Sequence, residues 1–356
     1  MRLLIIHLLF LVSMCLCSSC NDTECKHIAS NGVYYWKTIL ELDSNDYHFM
    51  NRHEVERIYL RMFDVAIEEP ATTFEAVVPN ASLQMSHSND SNRAVINYLH
   101  SKQVIPVVYI TIEALKAAQG HEEQLARQIV ERVRRMCSYH ELPNVVGLQI
   151  DCDWTVSTEL SYFALCDSAR SQIAQKKLPW ALSSTIRLHQ LSREAPPVDY
   201  GVLMVYNTGD FSDPDAQNSI ISLDDVKPYL KHLDNYPLHL DVAYPTYSWQ
   251  LLFSDRQFVG LLNGVNVADT TCFATSGKNS YRALCNMCYQ NKFIRKDDII
   301  RAENSDFSEI MTVKNAIERR LHKRAHNNIL YHLDQQNLSK YTADEIDKIY
   351  STDQSH

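Results

Sequence analysis

The stretch Val145-Val146-Gly147-Leu148-Gln149-Ile150-Asp151-Cys152-Asp153-Trp154-Thr155 decides how this chain folds. An apolar run ends in two aspartates and a tryptophan, and either Ser157 or Thr158 can then cap a helix. The pattern predicts a buried strand that delivers two carboxylates to the mouth of a site and turns into a helix. Two acids at the end of an apolar strand cost stability unless they have partners or a task.

Working outward, the same strand-then-helix grammar recurs. Upstream lie Val33-Tyr34-Tyr35-Trp36, then Ile58 to Asp64, then Val104 to Ile112, which leads to Glu113. Downstream, Ala181 to Leu188 carries Arg187 and His189 at its end, and Tyr200 to Asn207 follows. Leu238 to Tyr244 runs on into Pro245, Tyr247 and Trp249, and Asn328 to Asp334 closes the series. Helical spacing of Leu125, Ile129, Val133 and Met136 gives one apolar helix face, and further helices are expected from Asp43 or Ser44, over 158–176, from Ser222, over 306–324 and from Thr342. Eight strands alternating with helices predict an α/β fold, a single (β/α)8 TIM-type barrel over 33–350. Residues 255–305 read as an irregular insertion after strand 7, a loop or a small inserted subdomain.

The chain has 356 residues, 45% hydrophobic and 22% charged, the balance of a globular protein with a sizeable core. A formal net charge of −9 and the absence of a basic stripe argue against a nucleic-acid partner. Arg319, Arg320, Lys323 and Arg324 sit at helical spacing and read as a solvated face. Nothing calls for a cofactor. Cys272 with Cys285-Asn286-Met287-Cys288 lacks a second CxxC and a histidine at ligand spacing, so no metal site is expected.

The N-terminus reads as a leader. Met1-Arg2 precedes an apolar run from Leu3 to Val12, too short to span a bilayer. Of Cys15, Cys17 and Cys20, only Cys20 follows a small residue, in Ser18-Ser19-Cys20. The segment resembles a bacterial lipoprotein signal. The resemblance implies a signal peptide over 1–19, lipidation at Cys20, a tether over 20–32, and an exported protein anchored by lipid to a membrane of the cell envelope.

In a (β/α)8 barrel, functional side chains come from the C-terminal ends of the strands. Acids interleaved with tyrosine and tryptophan suit a sugar, because rings cover the apolar face of a pyranose and carboxylates accept from its hydroxyls. Gly147 to Trp154 resembles the fourth-strand signature D-x-x-D-x-D-x-E of family 18 glycoside hydrolases, the chitinases and endo-N-acetylglucosaminidases. Val198 to Asn207 resembles that family's sixth strand, whose Met and Tyr face the sugar, and Leu240 to Trp249 resembles its seventh. The resemblance implies Asp153 as main acid, Asp151 as its orienting partner, and Tyr206 with Asn207 holding the substrate. Trp154, Arg187, His189, Asp241, Tyr244, Trp249 and Glu113 complete the expected glycan contacts.

The departures bear on catalysis. The family's first Asp is Leu148 here, and its proton-donating Glu is Thr155. A threonine hydroxyl is a poor general acid near neutral pH, and losing the acid removes about 10²–10⁴-fold in rate. Three readings stay open: a hydrolase in which Asp153 works with Glu113, His189 or Asp241 as partner, an inactive glycan-binding barrel, and an envelope protein with a structural or assembly role. The number of strand-end acids favours hydrolysis among them. Arg187 either meets an acidic ligand or neutralises Asp151 or Asp153, and such a pairing is expected to lower the pKa of the acid it touches.

Overall fold

A computed structural model describes residues 30–352, apart from 69, 87, 88, 290, 322 and 323. The leader and Cys20 lie outside the described residues. Eight parallel strands close into a ring: β1 Asn31–Tyr35, β2 Val55–Ile67, β3 Gln103–Ile110, β4 Gly147–Cys152, β5 Ala181–Arg187, β6 Tyr200–Met204, β7 Leu240–Pro245 and β8 Asn328–Tyr331. Each pairs with the next, and β1 pairs with both β8 and β2, so the ring leaves no open edge. One further strand, Val77–Asn80, lies outside the ring, antiparallel to β2.

Alternation along each strand sorts side chains into two cores. An outer core, between strands and helices, takes Val33, Tyr35, Phe63, Leu148, Ile150, Trp154, Val242 and Tyr244. An inner core inside the ring takes Tyr34, Tyr59, Ile105, Val107, Val202, Met204, Ala243 and Ile329. The outer layer is built from α1 Ser44–Arg52, α2 Asn89–Leu99, α3 Glu122–Tyr139, α4 Glu159–Gln175, α5 Phe307–Leu321 and α6 Ala343–Tyr350. Asp43 caps α1, and Thr342 with Glu345 forms a capping box on α6, as their side chains predict. The helix expected from Ser222 is one turn, Leu223–Val226, continued by a 3-10 segment to His232, and the Ser222 side chain makes no capping bond.

The insertion after β7 carries its own sheet. Strands Ser248–Ser254, Gln257–Leu262, Phe273–Gly277, Ser280–Ala283 and Ile299–Asn304 pair antiparallel around Leu252, Phe273 and Ile300. Asp255 and Arg256 both take positive φ, 49° and 64°, in the two-residue turn of its first hairpin, the geometry that matches strand twist. Glu303 ties this sheet to the barrel. Its carboxylate accepts from Trp249 Nε1 at 2.6 Å, Ser219 Oγ at 2.6 Å and Arg301 Nε at 2.7 Å.

Candidate functional site

The two-residue period of β4 decides which of its side chains can meet a ligand. Gln149, Asp151 and Asp153 point into the ring, while Leu148, Ile150, Cys152 and Trp154 point out to the helices. Gln149 accepts a 2.6 Å bond from Tyr34 Oη on the barrel axis. One rung higher, Asp151 Oδ1 accepts from Thr185 Oγ1 at 2.6 Å and from Arg187 Nη2 at 3.0 Å. Asp153 stands at the rim and takes a short bond from Arg187 Nε.

Arg187, the last residue of β5, thus spans both acids. The side chain of Asp151 is 5% exposed and that of Asp153 is 43% exposed, so only the outer carboxylate is readily reached by solvent. Burial pushes the Asp151 carboxyl above its ordinary value, and the Arg187 charge and Thr185 bond oppose that push without reversing it. Arg187 lowers this acid as its pairing leads one to expect, but desolvation at the bottom of the mouth is the larger effect and sets the net direction. Arg187 itself stays charged, since Asp151, Tyr206 and Asp153 outweigh its own burial.

Aromatic rings from five other places on the ring surround this ion cluster. Tyr206, just past β6, lies under the Arg187 guanidinium, with 6.0 Å from ring centre to Cζ. It stacks on Tyr331, the end of β8, at 4.5 Å and 27°. Tyr331 meets Trp36, just past β1, at 5.6 Å, and Tyr247 at 6.0 Å. Arg61 covers Trp36 at 5.5 Å and donates from Nε to Asp64 at 3.0 Å. Tyr247 Oη donates to Asn207 Oδ1 at 2.6 Å, holding that residue at a positive φ of 51°. Tyr109 at the end of β3 completes the wall. Burial, with Asp153 and Asp151 nearby, pushes its phenol up to about 12.

Several residues expected against a glycan stand elsewhere. Trp154 and Tyr244 are fully buried in the outer core, because each is one residue out of phase with an inward neighbour. Trp154 packs on Tyr162 and Phe163 instead. Asp241 lies near the start of β7, at the opposite end of the ring from the mouth. There it accepts from Asn327 at 2.8 Å and faces Arg57 at 3.5 Å. Burial pushes Asp241 up, but bonds from His239 and Asn327 and the Arg57 charge outweigh it and hold it below the ordinary value. Glu113 is exposed in the short helix Ile112–Ala117 after β3, and His189 is exposed in the 3-10 turn Leu188–Ser192 after β5. Trp249 is partly buried and committed to Glu303. Thr155 is exposed, its hydroxyl 3.0 Å from that of Ser157. Trp36, Tyr331, Tyr247 and Thr185 were missed as site residues. A strand-end rule applied to aromatics as well as acids finds the first two.

The fold places this chain among known barrels. A chitinase from Bacteroides thetaiotaomicron superposes with a TM-score of 0.55 at 13% identity, over 92% of this chain and 98% of that one. The barrel fold is that of chitinases. The spore cortex-lytic enzyme SleL of Bacillus cereus matches at 0.52 and 11% identity, over 92% of this chain and 76% of its own. A plant class V chitinase mutant from Cycas revoluta, in complex with (GlcNAc)3, matches at 0.50 and 13% identity, over 90% of this chain and 98% of that one. No protein-family model matches the chain. No curated protein matches it either.

Proposed function

We propose that this chain is a chitinase-like, glycan-binding barrel that holds an N-acetylated saccharide at its C-terminal mouth and leaves it intact. One observation carries the reading: the Arg187 guanidinium bonds both Asp151 and Asp153. The resemblance to the chitinase signature adds that Thr155 takes the place of its proton-donating Glu. A general acid needs a proton to give and a free reach to the leaving oxygen. Asp151 has neither solvent nor slack, and Asp153 faces a permanent cation. Glu113, His189 and Asp241 do not join the Asp151–Arg187–Asp153 cluster by any hydrogen bond or ion pair among the described residues, which supports binding over hydrolysis.

Binding chemistry is better served. Trp36, Tyr206, Tyr247 and Tyr331 offer ring faces and edges within one cluster, suited to the apolar face of a pyranose. Asp153, Asn207 and the tyrosine hydroxyls supply polar groups for ring hydroxyls and an acetamido group. The N-acetyl class rests on the likeness of the β4, β6 and β7 segments to the chitinase signature, and on the (GlcNAc)3 found in one structural neighbour. Export and lipid attachment through Cys20 belong to the same proposal and rest on the Ser18-Ser19-Cys20 pattern alone.

The test is incubation of the protein with N-acetylated chitooligosaccharides, followed by chromatography of the sugar and a parallel binding titration. Binding with the saccharide recovered whole supports the proposal. Released product that Asp153→Asn abolishes would replace it with a hydrolase. Cys20→Ser separately tests the anchor, through loss of labelled fatty-acid incorporation.

A further inference from the structure

A large cavity lies away from the mouth. It is a cleft of about 1560 Å³ on the outer wall, between α2 and α3 and beneath the segment that carries the extra strand Val77–Asn80. That exceeds the range of about 300–1,000 Å³ common for small-ligand pockets, so an extended occupant fits it better than a compact one. Its floor is aliphatic: Ile96 and Met136 are partly exposed in it, over the buried side chains of Phe63, Val65, Leu125 and Ile129. Met136, which the helix periodicity assigns to the packed face of α3, is only partly buried because this cleft opens beside it.

The polar groups of the cleft are unevenly matched. Arg132 lies over the Phe63 ring at 5.1 Å and donates from Nη2 to Ser82 Oγ at 3.0 Å. Its Nε is buried with no hydrogen-bond partner, and so is Asn92 Oδ1. Glu131, the neighbouring acid, is taken up by Arg134, Arg135 and Lys176 and is not available to Arg132. Arg93 lines the cleft without an acidic partner among the described residues. His140 adds no charge at neutral pH, because burial lowers its pKa. The other acid of the lining, Glu141, lies past the end of α3, nine residues beyond Arg132. Two cations above a long aliphatic floor complement an anionic head on an apolar chain.

We infer that this cleft is a second binding site, for a long-chain carboxylate whose head meets Arg132 and Arg93 and whose chain lies along Ile96, Ile129 and Met136. The site is independent of the barrel mouth and of the saccharide reading. The experiment uses the full chain and monomeric oleate, read by displacement of a fluorescent fatty-acid probe. Saturable binding is expected. Oleyl alcohol, which keeps the chain and drops the charge, should bind at least about tenfold more weakly, and Arg132→Met should weaken oleate by a similar factor. Ile129→Trp, which fills the cleft, should abolish displacement while leaving chitooligosaccharide binding unchanged. Absence of saturable binding to the folded wild type overturns the inference. So does oleyl alcohol binding as tightly as oleate, or capture of the protein by anionic vesicles when monomeric oleate does not bind.

Discussion

Arg187 Nη2 stands 3.0 Å from Asp151 Oδ1, in an ion pair whose two side chains are 18% and 5% exposed. Removing one partner of such a pair strands the other in a medium that solvates it poorly. Arg187→Met should therefore cost about 3–5 kcal/mol of folding stability, read from urea denaturation. Arg187→Lys should recover only part of it, because an ammonium cannot reach two carboxylates with the fork that a guanidinium provides. A loss well under about 1 kcal/mol in the Met variant would mean that the pair is solvated.

Two of the buried aspartates, Asp241 and Asp151, predict opposite pH behaviour. Asp241 has its folded pKa below the unfolded value of about 3.9, so its stabilisation is complete above that pH and fades as pH falls through the folded value. Asp151 has its folded pKa raised, so its contribution is present below about 3.9 and is lost as pH rises through the folded value. Urea midpoints from about pH 3 to about pH 7 should thus show Asp241→Asn losing most, relative to wild type, at the upper end. Asp151→Asn should gain on wild type over the same rise.

Trp36 and Trp154 separate function from packing. Trp154→Ala empties a fully buried site and should cost about 3–5 kcal/mol in stability. Trp36 is partly exposed, so Trp36→Ala should cost clearly less in stability yet weaken saccharide binding by about tenfold or more. Thermal melts and sugar titrations on the two variants check both halves.

This pair also shows what was legible in the sequence. Eight strands and the placement of Asp151 and Asp153 at the end of one of them follow from apolar runs and their polar ends, which are local signals. The burial of Trp154 was legible too: residues that alternate cannot all face one ligand, and inward aspartates at 151 and 153 send 154 outward. Tyr244 fails by the same arithmetic. The grouping of Trp36 with Tyr331 was harder to see, because β1 and β8 are neighbours only through ring closure, nearly three hundred residues apart. The place of Asp241 was hidden differently. It lies close to the start of its strand, and the expected strand began two residues earlier than the observed one.

Glu303 gives a test of the insertion. Glu303→Gln keeps the shape but leaves Arg301, 2% exposed, beside an uncharged amide. The five-stranded sheet should loosen before the barrel does. Limited proteolysis should cut the variant between 255 and 300 at protease levels that leave wild type whole, with the barrel's melting transition little changed.

The most direct measurement is calorimetric titration of wild type and Trp36→Ala with an N-acetylated chitooligosaccharide, with the recovered sugar then sized. The account predicts saturable binding by wild type, loss of about tenfold or more in the variant, and a saccharide of unaltered length. Binding that ignores Trp36, no binding at all, or shortened sugar from the wild-type sample would contradict it.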